Sequence, residues 1–317
     1  MKAAIVTEIG KPPVYGNFVD PKPAQGSHLI AVTAAALTPV TKSRASGTHY
    51  SSKGGLPFVP GIDGIGICED GRRVYFAMPE TPFGGMAERT VVKPSLCVEL
   101  PSDLDDVKAA AIANPGVSSW AALQERAKLV KGETVLINGA TGIAGRLAVQ
   151  VAKYLGAKKV IATGRNPNVL PSLNGLGADV TVDLTKDAVA LEDEFKAQFS
   201  EGIDVVLDYL WAESAEILLV AAAQSAPAAV PIRFVSIGSA GGPTISLPSA
   251  VLRSSALELM GSGINSIPIA RLVKAIAELF SATARGGFKI STHSVPLSQI
   301  AEYWSSHDSS VRTVFTP

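Results

Sequence analysis

The residues with the clearest chemical purpose lie between Val135 and Lys153, VLINGATGIAGRLAVQVAK. An apolar run, Thr134–Asn138, ends in a glycine-rich turn, and the turn opens onto a helical pattern, Leu147–Leu155. A turn of this kind brings backbone N–H groups against a phosphate only where no Cβ intervenes, and the helix behind it adds the partial positive charge of its N-terminus. Gly142 stands where the backbone would approach the phosphate, and Gly145 where helix and strand would meet closely. The spacing departs from G-x-G-x-x-G, because Ala140 holds the first position and Gly139 precedes it. Strand and helix in the right places predict a dinucleotide-binding turn over an ordinary strand–turn–helix corner.

The next chemical signal is an absence followed by a charge. A site for an unphosphorylated ribose carries Asp or Glu about 20 residues on, at the end of the second strand. No Asp or Glu occurs from Thr134 through Ala178, and Arg165 follows the second apolar run, Val160–Thr163. A guanidinium there matches a 2′-phosphate in charge and in fork geometry. The residues therefore predict NADPH over NADH.

The elements that must position these groups follow from texture. From Ala109 onward, apolar runs (Thr134–Asn138, Val160–Thr163, Asp204–Asp208, Arg233–Ile237) alternate with helical patterns, which predicts parallel βαβ units. Val220–Val230 reads as the end of a helix and a loop at Pro227. Residues 1–111 carry short strand-like runs, Lys2–Glu8 and His28–Ala34, punctuated by Gly and Pro, as in a partly open barrel. Short β-like runs return from Lys289 to Val311–Phe315.

Composition agrees. At 317 residues the chain is long enough for two domains, and its 18% charged residues, against roughly 25% in soluble domains, predict a sheet buried on both faces. Zero formal net charge gives no reason to expect nucleic acid. Two cysteines, Cys68 and Cys97, read as small buried hydrophobes in a reducing compartment. The longest apolar stretch, Ile217–Ala223, is far short of the ~20 residues that span a bilayer, so a cytoplasmic protein is expected.

Six further segments share an order with a known family. They are Leu56–Gly66 (LPFVPGIDGIG), Gly84–Glu88 (GGMAE), Asn114–Ala122 (NPGVSSWAA), Gly177–Asp179 (GAD), Ser236–Ser239 (SIGS) and Val311–Val314 (VRTV). With them the chain resembles the medium-chain dehydrogenase/reductase superfamily, in its zinc-free quinone-oxidoreductase branch, nearly end to end. The resemblance implies an α/β chain: a Rossmann-type doubly wound parallel sheet at 112–264, and a GroES-like β-rich catalytic domain in two segments, 1–111 and 265–317, with the active site in the cleft between them. By position, Thr141, Gly142, Ile143 and Ala144 would lie along the pyrophosphate, Arg165 and Asn166 would face the 2′-phosphate, and Asn114, Ser118 and Gly238 would border the nicotinamide.

No metal is expected. Zinc-dependent relatives read G-H-E where this chain has Gly61-Ile62-Asp63, Ala34–Ser43 holds no cysteine, and His28, His49, His293 and His307 show no ligand spacing. A short-chain dehydrogenase is disfavoured because Tyr154-x-x-x-Lys158 comes too soon after the glycine turn, so Tyr154 reads as a packing residue. A serine hydrolase is disfavoured because Ile237–Gly241 lacks the first glycine of G-x-S-x-G. Without a metal, the expected acceptor is already electrophilic, a quinone or an α,β-unsaturated carbonyl, and catalysis would rest on orientation and on donors to the developing oxyanion. Tyr50, Thr38 and Lys42 are the candidate donors, since the family places its substrate cleft along their segment. Two other readings stay open: an NADPH-binding protein with a crystallin-like or regulatory role, and an enoyl-thioester reductase. Analogy also implies a homodimer, joined through Ala256–Ile264 as a sheet edge.

Overall fold

A computed structural model describes residues 1–49, 55–305 and 308–317. Contacts divide the chain into two compact units, Pro115–Leu272 and a second unit made of Met1–Asn114 with Val273–Pro317. Both joins fall inside helices, Asp106–Ala121 and Ile269–Gly286. The first join falls at Asn114-Pro115-Gly116 within its helix, and the second at Leu272-Val273.

The unit Pro115–Leu272 is built on six parallel strands. Counted along the chain they are Thr134–Asn138, Lys159–Gly164, Val180–Asp183, Val205–Asp208, Ile232–Ser236 and Leu257–Gly261, and across the sheet they lie in the order 3-2-1-4-5-6. That is the doubly wound order in which the direction of winding reverses beside the first strand. The first and fourth strands are buried at every residue, as expected of strands covered on both faces. One face carries Leu136, Ile161, Val206 and Phe234 against Leu191, Phe195 and Phe199 of helix Ala188–Ser200 and Leu218 and Leu219 of helix Ala212–Ser225. Among the described residues the last strand is an edge that pairs with the fifth alone, and its Leu259 is 39% exposed.

The second unit is β-rich. Strands Thr292–Pro296, Arg312–Thr316, His28–Ala36, Asp63–Cys68, Arg73–Ala77 and Cys97–Glu99 lie side by side in that order, and Arg89–Val92 also pairs with His28–Ala36. All these pairings are antiparallel except that of Thr292–Pro296 with Arg312–Thr316. Two of the family-like segments prove to be one packed contact. The Gly85 N–H donates to the Gly61 carbonyl at 2.9 Å and Met86 N–H to the Pro60 carbonyl at 3.0 Å. A Cβ on Gly84 would lie 2.2 Å from the Val59 carbonyl oxygen, so only glycine lets these loops meet. Cys68 is buried as expected, whereas Cys97 is only half-buried. Tyr154 packs its ring at a tilt against Trp120 at 6.0 Å between centroids and is 41% exposed. Among the described residues, no helix is long and apolar enough to cross a membrane.

Candidate functional site

The first strand delivers the chain into the glycine turn, and each glycine there has a separate job. Gly139 takes a left-handed backbone, φ +91°, and a Cβ on it would press on Leu210 at 2.8 Å. It supplies the conformational freedom that the missing glycine at position 140 would otherwise give, while Ala140 is fully buried. Gly145 lies under the turn: a Cβ would stand 2.4 Å from the Gly139 carbonyl oxygen and 2.5 Å from Ala140 Cα. Gly142 differs from both. Its φ is −80°, nothing lies within 4 Å of where its Cβ would be, and it caps helix Ile143–Tyr154 without a side-chain hydrogen bond. No neighbour in the fold demands a glycine at this position. The open space lies at the start of a helix of 12 residues, where unsatisfied N–H groups favour an anion.

Thr141, Ile143 and Ala144 lie in the turn and the first turn of the helix beside this space. Thr141 also ties the turn to the second strand, because a Cβ on Gly164 would fall 2.2 Å from its methyl carbon. The residue after Gly164 is Arg165. It is exposed and makes no hydrogen bond or ion pair among the described residues. Asn166 is exposed as well, and its side chain accepts from the Asn168 N–H at 3.1 Å. Arg165 lines a cavity of about 140 Å³ with Lys186, Leu184, Leu191, Leu210 and Trp211.

A buried polar network sets the rim of that cavity. Asn138 donates to Asp208 at 2.8 Å and to Ser214 at 3.0 Å, and Thr163 donates to Asn138 at 2.7 Å. Asp208 in turn accepts from the Leu210 and Trp211 N–H groups, each at 3.1 Å. Burial raises the Asp208 carboxyl above the usual carboxylate range, against these hydrogen bonds. The bonds hold Trp211 at φ 60°, ψ −155°, a conformation rare for any residue with a side chain. A fully apolar strand end could not fix this turn, since its N–H groups would be left without acceptors.

Gly238 lies at the end of the fifth strand, where a Cβ would approach the Tyr209 carbonyl oxygen at 2.8 Å. The Tyr209 hydroxyl is buried beside Ser118 and Ser119 without a well-formed hydrogen bond to either, and burial pushes its pKa up to about 12. Ser118 donates to the Pro115 carbonyl at 2.7 Å inside helix Asp106–Ala121, which also carries Asn114. Asn114 and Ser118 therefore share one helix, and Tyr209 links Ser118 to the residues around Gly238.

Of the donors expected in the β-rich unit, the structure describes Thr38 and Lys42. Thr38 is fully buried and caps helix Pro39–Ala45, accepting from the Thr41 N–H at 3.2 Å and sharing a hydroxyl hydrogen with Thr41 at 2.9 Å. Lys42 is half-buried, and its pKa is lowered first by burial and then by the charge of Arg312. Tyr50 lies outside the described residues. Sequence reasoning missed the buried group next to Lys42. Arg312 donates to the Leu37 carbonyl at 2.8 Å, and Tyr75 donates to Asp63 at 3.1 Å. Burial pushes the Asp63 carboxyl up to about 7, against the Tyr75 hydrogen bond and the Arg312 charge. Among the described residues, no three His, Cys, Asp or Glu side chains converge as metal ligands do.

The same architecture occurs in known proteins. A family model described as "Zinc-binding dehydrogenase" matches residues 144–281. A "probable NADPH-dependent quinone reductase" of Emericella nidulans is 28% identical across the whole of both chains. The quinone oxidoreductase of Homo sapiens is 32% identical over 224 residues, 66% of each chain. The chain belongs to the medium-chain dehydrogenase/reductase superfamily, in its quinone-oxidoreductase branch. A solved member of this superfamily, the quinone oxidoreductase from Thermus thermophilus, described with its complex with NADPH, matches at a TM-score of 0.83 and 25% identity over 100% of both chains. The zinc in the family's description does not bear on this chain's ligands, because the matched residues include neither Ala34–Ser43 nor Gly61–Asp63.

Proposed function

We propose that this protein is an NADPH-dependent reductase that passes hydride to a quinone or an α,β-unsaturated carbonyl without a metal. The observation that carries the cofactor is the open space at Gly142 together with an exposed Arg165 that has no hydrogen bond or ion pair among the described residues, and no carboxylate in the chain from Thr134 through Ala178. The named activities of the relatives, NADPH-dependent quinone reductase and quinone oxidoreductase, support the acceptor class.

In this reading Thr141, Gly142, Ile143 and Ala144 hold the pyrophosphate, Arg165 and Asn166 the 2′-phosphate, and Asn114, Ser118 and Gly238 the nicotinamide end. Bound NADPH supplies hydride to an electron-poor carbon of the acceptor. The protein's own part is to orient the reactants and to meet the negative charge that builds on the acceptor oxygen. Lys42 suits that part best: a lysine whose pKa is lowered gives up a proton more readily near neutral pH. Thr38 acts behind it by fixing the helix on which Lys42 stands, and Tyr50 is a further donor. The absence of zinc follows from Ile62, which cannot ligate a metal, and from the lack of cysteine in Ala34–Ser43. We also assign the unit Pro115–Leu272 as the NADPH-binding domain and the β-rich unit as the catalytic one, in a cytoplasmic homodimer joined at the edge strand Leu257–Gly261.

The test is loss of NADPH absorbance with purified protein across a panel of quinones and enals, with NADH in parallel. Turnover with NADPH and little with NADH is expected. Tight NADPH binding with no turnover on any acceptor would overturn the enzymatic reading and favour a binding role.

A further inference from the structure

The cavity beside Arg165 contains a second cation, one that no sequence motif marks. Lys186 follows the third parallel strand. Asp183 accepts from both the Thr185 N–H at 2.9 Å and the Thr185 hydroxyl at 2.8 Å, which builds the tight turn that sets Lys186 at the cavity wall. The Lys186 ammonium donates to Glu194 at 2.6 Å. An ammonium has three donors, so Glu194 fixes its position and leaves others for a ligand. Apart from Ser214 and Glu213 the remaining wall is apolar, with Leu184, Leu191 and Leu210 beside Trp211, which Asp208 holds in its strained conformation. Among the described residues, Glu213 is the one carboxylate that lines the cavity, and it is exposed to solvent. Two cations over an apolar and aromatic wall match a nucleoside that carries a phosphate monoester, whose dianion one guanidinium leaves half neutralised.

We propose that Lys186 is the second cation of this pocket and that it selects, with Arg165, the 2′-phosphorylated form of the nucleotide. The proposal rests on the NADPH reading above. It differs from that reading in assigning the selectivity to a pair of cations from two successive strand ends.

Calorimetric titration of the intact protein with 2′,5′-ADP and with 5′-ADP tests it without any turnover. Wild-type protein binds 2′,5′-ADP the more tightly. Lys186→Ala weakens 2′,5′-ADP about tenfold or more, the size of one charge-assisted hydrogen bond, and leaves 5′-ADP within about twofold. Lys186→Arg restores most of the loss, since it returns the charge. Unchanged 2′,5′-ADP affinity in Lys186→Ala, or an equal loss for both nucleotides, overturns the assignment while leaving the cofactor reading intact. Failure of wild-type protein to bind either nucleotide overturns the cofactor reading itself. The Lys186 side chain is 45% exposed and its ion pair with Glu194 is a surface one, so the variant stays folded for the comparison.

Discussion

Two charged sites, one in each unit, treat their cations in opposite ways. In Pro115–Leu272 the two cations of the cavity stand just beyond strand ends and are exposed: Arg165 makes no hydrogen bond or ion pair among the described residues, and Lys186 is tied to the half-buried Glu194. In the β-rich unit Asp63 and Arg312 are buried, and Tyr75 and the Leu37 carbonyl satisfy part of their hydrogen bonding. Exposed cations keep their charge at little cost and wait for an anion. Buried ones must be compensated by the protein itself, so they shape their neighbours' proton affinity instead, as Arg312 does for Lys42. The first arrangement recognises a ligand and the second tunes a site.

The sharpest way to break this comparison is inside the glycine turn. Gly145→Ala forces a Cβ onto backbone atoms and should destabilise the nucleotide unit by about 3 kcal/mol, the upper end of the usual cost of overpacking. Gly142→Ala should leave the denaturation midpoint nearly unchanged and still weaken NADPH, because its Cβ enters space that only a ligand would occupy. Equal destabilisation by both would mean that Gly142 serves the fold and not a ligand.

Next in size is Arg165→Ala. It should weaken NADPH by about 1.5–3 kcal/mol and leave NADH nearly unaffected, as read from the two dissociation constants. Comparable losses for the two cofactors would remove the guanidinium from the 2′-phosphate.

The buried group gives a test by pH. Burial holds the Asp63 carboxyl near 7 in the folded protein, against 3.8 as its ordinary value. The folded state therefore keeps a proton that the unfolded chain has released. The contribution to stability is complete below pH 3.8, drains away as pH rises toward about 7, and is flat beyond it. Asp63→Asn, which cannot ionise, should flatten the urea midpoint across that range, removing a slope of up to about 1.4 kcal/mol per pH unit. A slope that persists in the variant would place the titration elsewhere.

The smallest effect expected is at an exposed pair. Glu192→Gln breaks its contact with Lys196 one helical turn away and should cost roughly 0.3–0.5 kcal/mol, measured by the same midpoint. A larger cost would mean that surface charge in this unit carries structural weight as well.

The parallel sheet is legible in the sequence because its signals are local. Thr134–Asn138 is bounded to the residue, and the strands at Val160, Asp204 and Arg233 to within a residue or so, since apolar runs between helical patterns have few other uses. The glycine turn and Arg165 are visible for the same reason. Both divisions between the units lie within continuous helices, where periodicity does not change. Lys186 escapes a reading of the sequence because nothing in its own neighbourhood distinguishes it from a solvated loop lysine. Its position matters only because the third strand lies beside the second, 3-2-1-4-5-6 being a property of the sheet.

The sequence by itself determined the period of the elements, the glycines that a close approach requires, and the missing carboxylate that turned the cofactor reading toward NADPH. Each depends on residues near one another in the chain, where sterics and spacing act directly. Only the tertiary structure decided which of two essential-looking glycines serves the fold and which leaves room for a ligand. It also decided that Thr38 is occupied as a helix cap, and that Arg312, 275 residues from Leu37, closes a buried charge group with Asp63 and Tyr75. Those outcomes depend on burial and on partners far apart in the chain, and neither can be computed from the identity of a residue and its neighbours alone.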